Sequence, residues 1–258
     1  MSLNKQYSGL FRFTQQELVA VVVVALILSF GLTFRMWGVD GEFNAVVGLS
    51  NLLFVLAGMI IVIAVHEAGH KIAGVYQGYE VSVRMFGPGL VGSAFVTLYA
   101  QGFVPFVTPN LVLVDARPDL RIGKFRKYDN PAEAASIAFG GLVASVLMIF
   151  VFSALYTFSG VELFRVIMLG AVIHAILSFI PFELINVLTK IKYFQSAQSY
   201  APGDGLHLLW WSKYAYVFGF SFMILFGGLA LFANTISLIF SLILATLATW
   251  AYSKWLTS

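Results

Sequence analysis

The sequence predicts an all-α polytopic membrane protein of about six transmembrane helices, with a re-entrant, partly extended segment after the second. Two observations predict it. The 258 residues are 60% hydrophobic and only 10% charged, with a mean hydropathy of +0.89, a balance far from that of soluble domains. The apolar residues also fall into several runs, each near the roughly 20 residues a helix needs to cross a bilayer. The expectation is a single membrane-embedded domain over residues 1–258, surrounded by the lipid bilayer. The chain contains no cysteine, which excludes disulfides and thiolate metal sites, so any bound metal must use His, Asp or Glu. The basic residues are confined to loops and no soluble stretch is long enough to carry a reader, so nucleic acid is not expected as a partner.

Residues 18–34 form the first apolar stretch. The preceding segment is mixed and polar, and Arg35 and Trp37 follow without a small-residue cleavage site, so the stretch reads as a retained span. Residues 45–76 make the second. Residues 85–114 are free of charge, but Gly87, Pro88, Gly89, Gly92, Gly102, Pro105 and Pro109 interrupt them. Such breakers predict a partly helical, partly extended segment that dips into protein-lined space, because irregular backbone is tolerated in a membrane only where it is shielded from lipid. The stretch 85–110 is also expected to offer an edge for an extended peptide.

Residues 115–130 form a basic loop with Arg117, Arg121, Lys124, Arg126 and Lys127. Pro131 suits the first turn of a helix, and residues 134–161 supply the third span. Residues 166–182 are the fourth, ending around Pro181. In residues 183–200 the apolar side chains Leu184, Ile185, Val187, Leu188, Ile191 and Phe194 recur at helical spacing, which predicts an amphipathic surface helix inserted between spans. Pro202-Gly203-Asp204-Gly205 then breaks the chain. Residues 214–253 carry no charge; as one helix they would be ~60 Å long, twice a hydrocarbon core, so they must fold back, with Asn234 as the turn.

With the amino terminus in the cytoplasm and residues 85–114 re-entering rather than crossing, only Arg35 and Arg165 of the 15 Lys and Arg residues lie outside. The positive-inside rule therefore favours a multi-pass protein of the cell membrane with both termini cytoplasmic and the 115–130 loop on the same side.

The most informative motif is His66-Glu67-Ala68-Gly69-His70. On a helix, i and i+4 share a face, so His66 and His70 can grip one ion, and Glu67 sits about 100° round, where it can polarise a nearby water. This is the H-E-x-x-H arrangement of zinc hydrolases. No charged residue occurs in 43–65, and ionisable groups at membrane depth cost about 2.5–3.5 kcal/mol each, so a cluster of them requires a compensating partner or function. Two histidines leave a catalytic zinc short of its usual third protein ligand. Asp204 is the candidate, and its alternative role is a helix N-cap. His207, three residues on, reads as a polar neighbour of that site or an interfacial residue. His174, alone in the fourth span, reads as a packed or interhelical hydrogen-bonding group. Glu133 and Glu183 lie near span ends and read as interfacial.

These motifs resemble the site-2 protease family of intramembrane zinc metalloproteases, especially its compact archaeal-type members, over roughly residues 45–215. Val65-His66-Glu67-Ala68-Gly69-His70-Lys71 is similar to the family's first motif. Phe86-Gly87-Pro88-Gly89 and Gly102-Phe103-Val104-Pro105-Phe106 resemble the membrane-associated loop that follows it. Phe139-Gly140-Gly141-Leu142-Val143-Ala144 stands where the family has Gly-Pro-x-x-Asn, with Gly141 and Ala144 replacing Pro and Asn. Ile180-Pro181-Phe182 and Pro202-Gly203-Asp204-Gly205 resemble two halves of its Asn-x-x-Pro…Asp-Gly motif, separated here by about twenty residues. The resemblance implies one Zn2+ per chain held by His66, His70 and Asp204, Glu67 as general base, and a transmembrane-helix protein as substrate. Ser178 stands at the family's Asn position, with Asn186 as the other candidate for the substrate-carbonyl donor. The alternatives are a membrane zinc protease with a Glu as third ligand acting on soluble or prenylated peptides, and a non-catalytic metal-binding membrane protein or transporter.

Overall fold

The computed structural model describes residues 12–39, 42–116, 131–181, 203–230 and 236–257. Within them the chain is mostly helical, and five helices are long and apolar enough to cross a membrane. The first, α1 (Gln15–Thr33), starts at a capping box in which Thr14 and Glu17 satisfy each other's backbone N–H groups. A short hairpin, β1 (Gly38–Val39) and β2 (Glu42–Phe43), leads to α2 (Ala45–Gln77), which Asn44 caps by accepting from Val46 and Val47. At 33 residues α2 is ~50 Å long and exceeds a ~30 Å hydrocarbon core.

Strand β3 (Tyr79–Arg84), helix α3 (Gly87–Tyr99) and strand β4 (Leu111–Ala116) follow. The two strands pair antiparallel from Tyr79↔Ala116 to Arg84↔Leu111. The remaining long helices are α4 (Pro131–Ser159), α5 (Glu162–Phe179) and α7 (Lys213–Ala230), with the short α6 (Asp204–Trp211) before α7. The last helix, α8 (Ile236–Thr257), carries a shorter apolar stretch, Ile239–Lys254.

Two expectations change. The protein is not purely α-helical: β3 alternates buried and less buried residues, and Tyr79, Val81 and Val112 pack on Ile137 of α4. That period of two suits a strand lying on a helix rather than another helix. The extended edge also lies outside 85–110. Half of that stretch is α3, with Pro88 in its first turn where no N–H is needed, and the strands flank it. The amphipathic helix of 183–200, the turn at Asn234, and all but the first two residues of the 115–130 loop fall outside the described residues.

The main core cluster draws chiefly on α1, α2, α4, α5 and α7, including Leu28, Met59, Ile63, Ile149, Met168 and Phe226. The outward faces are also apolar: Leu49, Leu53 and Ile61 of α2 and Val143 and Leu147 of α4 are exposed. A helix that is hydrophobic all round requires an apolar surrounding. Helices α2 and α4 cross closely at Gly69 and Gly140, where a Cβ on either would strike the other's carbonyl. Small residues at such a crossing are how apolar helices bring their backbones together.

The first two helices are also joined by a buried ion pair. Lys71 Nζ lies 2.7 Å from Glu17 Oε1, and both side chains are nearly inaccessible. Lys71 donates to the Val81 carbonyl as well, and the Val83 N–H donates to Glu17, so the pair ties β3 to α1 and α2. Replacing Lys71 by Met leaves Glu17 buried without its cation, which costs about 3–5 kcal/mol. Lys71→Met should therefore lower the thermal unfolding midpoint in detergent, and Glu17→Leu added to it should recover part of the loss.

Candidate metal centre

Helix α2 places His66, Glu67 and His70 on its inner side, 2%, 1% and 0% exposed. One helical turn apart, the two imidazoles stand edge to face with ring centroids 4.7 Å apart and Nε2 atoms 3.1 Å apart. Their other nitrogens are anchored on α4. His66 Nδ1 is 2.8 Å from Ser145 Oγ, and His70 Nδ1 is 2.9 Å from the Ile137 carbonyl. A carbonyl only accepts, so His70 carries a hydrogen on Nδ1, and in its neutral form Nε2 presents a lone pair. Orientation of a ligating histidine through its far nitrogen is the arrangement found around bound metals.

Asp204 meets this pair from α6. It is the first helical residue, not the cap: Gly203 holds the cap position, with no side-chain cap bond. Its carboxylate instead lies against the imidazoles, Oδ2 3.4 Å from His66 Nε2 and Oδ1 3.3 Å from His70 Nε2, at 4% exposure. Two glycines make the convergence possible. A Cβ on Gly205 would collide with the Phe179 carbonyl at the end of α5, and one on Gly141 with the His70 imidazole. The first lets α6 begin close to α5; the second clears the space that the rings occupy.

The arrangement is incomplete without a positive charge. A carboxylate and imidazole lone pairs converge in a buried place, shielded from bulk solvent, where they repel one another and where an unpaired charge is costly. A proton or a cation must lie among them. The ligand-capable atoms of His66, His70 and Asp204 are all within 4.8 Å of one another, a spread that a single ion with bonds of about 2.0–2.2 Å can gather with small adjustments. The group can therefore hold a metal ion, and imidazole with carboxylate is a donor set for a divalent transition metal.

Glu67 lies beside the group and is held differently. Asn110, in the segment leading to β4, donates from Nδ2 to Glu67 Oε1 at 2.9 Å, while Oε2 has no hydrogen-bond partner among the described residues. Other buried polar atoms nearby share that state: Asn110 Oδ1, both ring nitrogens of His174, and His207 Nε2. Buried groups of this kind ordinarily have partners, so their accumulation leaves this region with unspent hydrogen-bonding capacity.

The other sequence candidates separate. Ser178 donates its hydroxyl to the His174 carbonyl one turn back, and Asn186 and Glu183 lie outside the described residues. Glu133 accepts from the Tyr79 hydroxyl rather than reaching the histidines. His207 stands edge-on to Trp210. His174 packs edge-on against His66. Sequence reading missed Asn110, Ser145 and the Ile137 carbonyl. A side-chain amide in the charge-free 85–114 tract, shared there only with Gln101, was the available signal for Asn110; nothing in the sequence points to a backbone carbonyl.

Taken together, these features define a mostly helical protein with five helices long and apolar enough to cross a membrane and a buried His–His–Asp group able to hold a metal ion. Compared with protein-family models, with curated proteins and with solved structures, the chain matches none.

Gly141→Ala should displace the His70 ring, and Ser145→Ala should free the His66 ring; each should weaken metal binding about 10- to 100-fold. Competition with a chromogenic chelator measures the change, while circular dichroism checks that helix content is kept.

Proposed function

We propose that the protein is an intramembrane zinc metalloprotease that hydrolyses peptide bonds within the transmembrane helices of membrane-anchored substrates. The observation that carries this reading is the convergence of His66, His70 and Asp204 with the half-satisfied Glu67 carboxylate beside them. The site lies about two-thirds of the way along α2, among helices with apolar outer faces. The resemblance to site-2 proteases, drawn from the same residues, supports it. The proposed topology is six passes, with α8 as the sixth, β3–α3–β4 re-entering from the cytoplasmic side, and both termini in the cytoplasm of a multi-pass cell-membrane protein.

One zinc ion per chain would be held by His66, His70 and Asp204, and when bound it supplies Lewis acidity toward water and the substrate carbonyl. Glu67 takes one proton from the attacking water at Oε2 as the water oxygen bonds to the carbonyl carbon and the π pair moves to the carbonyl oxygen. The C–N bond then breaks while Glu67 passes that proton to the nitrogen, giving a carboxylic acid and an amine. Asn110 holds the other carboxylate oxygen and so fixes the direction of Oε2.

A substrate helix shields its carbonyls, so it must unwind locally. Strand β4 pairs with β3 along one edge, and no strand among the described residues pairs along the other. That edge can accept an unwound segment as an added strand, with main-chain hydrogen bonds replacing those lost from the helix.

Purified wild type should contain one zinc per chain and cleave a single-span model substrate in detergent or vesicles. Glu67→Gln should keep the zinc and lose cleavage by about 100- to 10,000-fold, whereas Asp204→Ala should lose zinc and activity together. Undiminished cleavage by Glu67→Gln would remove the general-base assignment and the hydrolytic mechanism built on it.

A further inference from the structure

His174 lies in the middle of the bundle on α5, fully buried among Ala171, Val172 and Ala175. Its ring stands at 89° to that of His66 with centroids 4.8 Å apart, and neither ring nitrogen has a hydrogen-bond partner among the described residues. Burying both polar atoms of an imidazole unsatisfied costs stability that an apolar side chain of similar size would not. The ring is not one of the three groups whose donor atoms cluster for a metal. It therefore sits next to the centre with its hydrogen-bonding capacity unspent.

The neighbouring side-chain donors are engaged. Ser145 bonds His66, Ser178 returns its hydroxyl to the helix, and Asn110 donates to Glu67. His207 also has a buried nitrogen without a partner among the described residues, but its ring is only half-buried and stands edge-on to Trp210. Hydrolysis of an amide moves negative charge onto the carbonyl oxygen, and a fixed donor aimed at that oxygen in a dry site is among the strongest contributions a protein can make. A neutral imidazole offers one such N–H.

We propose that His174 is a catalytic residue that donates an imidazole N–H hydrogen bond to the oxygen of the scissile carbonyl. No proton is transferred; the bond strengthens as charge develops on the oxygen. This inference rests on the protease reading.

The test uses the full-length protein and His174→Leu, His174→Asn and His174→Gln. Leu removes the unsatisfied polar atoms, so the thermal midpoint in detergent should be equal to or above wild type, and zinc content should stay at one per chain. Turnover should fall about 100- to 1,000-fold with KM little changed. Affinity for a phosphinic peptide that mimics the tetrahedral carbon should fall by a similar factor. Asn or Gln, according to which nitrogen donates, should recover at least about tenfold of the loss. An active wild type alongside a His174→Leu variant with unaltered turnover and phosphinate affinity would overturn this assignment alone. Loss of zinc from His174→Leu would also overturn it, making the ring a ligand instead. A zinc-loaded wild type that neither cleaves nor binds the phosphinic peptide would overturn the protease reading and this inference together.

Discussion

A carboxylate buried between two imidazoles is the constraint around which the rest of the site is arranged. Asp204 brings a carboxylate into a buried region where it lies against the imidazoles of His66 and His70, and a buried negative charge is stable only beside a counter-charge. The anchoring of the histidines sharpens the requirement. With His70 Nδ1 committed to the Ile137 carbonyl, the ring cannot turn its N–H toward the carboxylate without giving up that bond. A cation satisfies all three groups at once. This also accounts for the far nitrogens of both histidines reaching α4: the helix that supplies no ligand decides how the ligands point.

Convergence at this level requires backbones closer than ordinary side chains permit. His66, His70 and Asp204 come from two segments far apart in sequence, and α4, which packs against both, presents glycines at the points of closest approach. Gly140 meets Gly69 across the α2–α4 crossing, Gly141 leaves room for the imidazoles, and Gly205 lets α6 begin against the Phe179 carbonyl. A single methyl group at any of these points would meet a neighbouring atom closer than real contacts allow, so the backbones or the rings would have to shift. Apolar packing thus sets the precision of the polar site, since close-packed interiors transmit such shifts rather than absorbing them.

Much of this was legible in the sequence because each signal was local. Hydropathy marks the long helices α1, α2, α4, α5 and α7 to within a few residues of their ends. The i, i+4 spacing of His66 and His70 places both rings on one face, and the glycines around Asp204 single out that carboxylate. What was not legible depends on tertiary contact. Strand β3 is too short to announce itself beside a 33-residue helix, and its pairing partner is in β4, beyond the whole of α3. The role of Gly141 is visible only once the rings lie against it. His174 gave the least warning, because a single histidine in an apolar helix looks the same whether it packs beside lipid-facing residues or against another imidazole.

The attachment of Glu67 shows how the two halves of the chain are coupled. The helix alone would leave this side chain free to rotate, since nothing on α2 holds its carboxylate. Among the described residues its one hydrogen bond comes from Asn110, immediately before β4. The register of β4 is set in turn by its pairing with β3, and β3 is pinned to α1 and α2 by the Glu17–Lys71 pair through the Val83 N–H and the Val81 carbonyl. The carboxylate beside the metal-binding group is thus positioned by a strand rather than by its own helix. Anything that shifts β4 bears on Asn110 before it bears on the histidines, so the β3–β4 pair and the site are mechanically coupled.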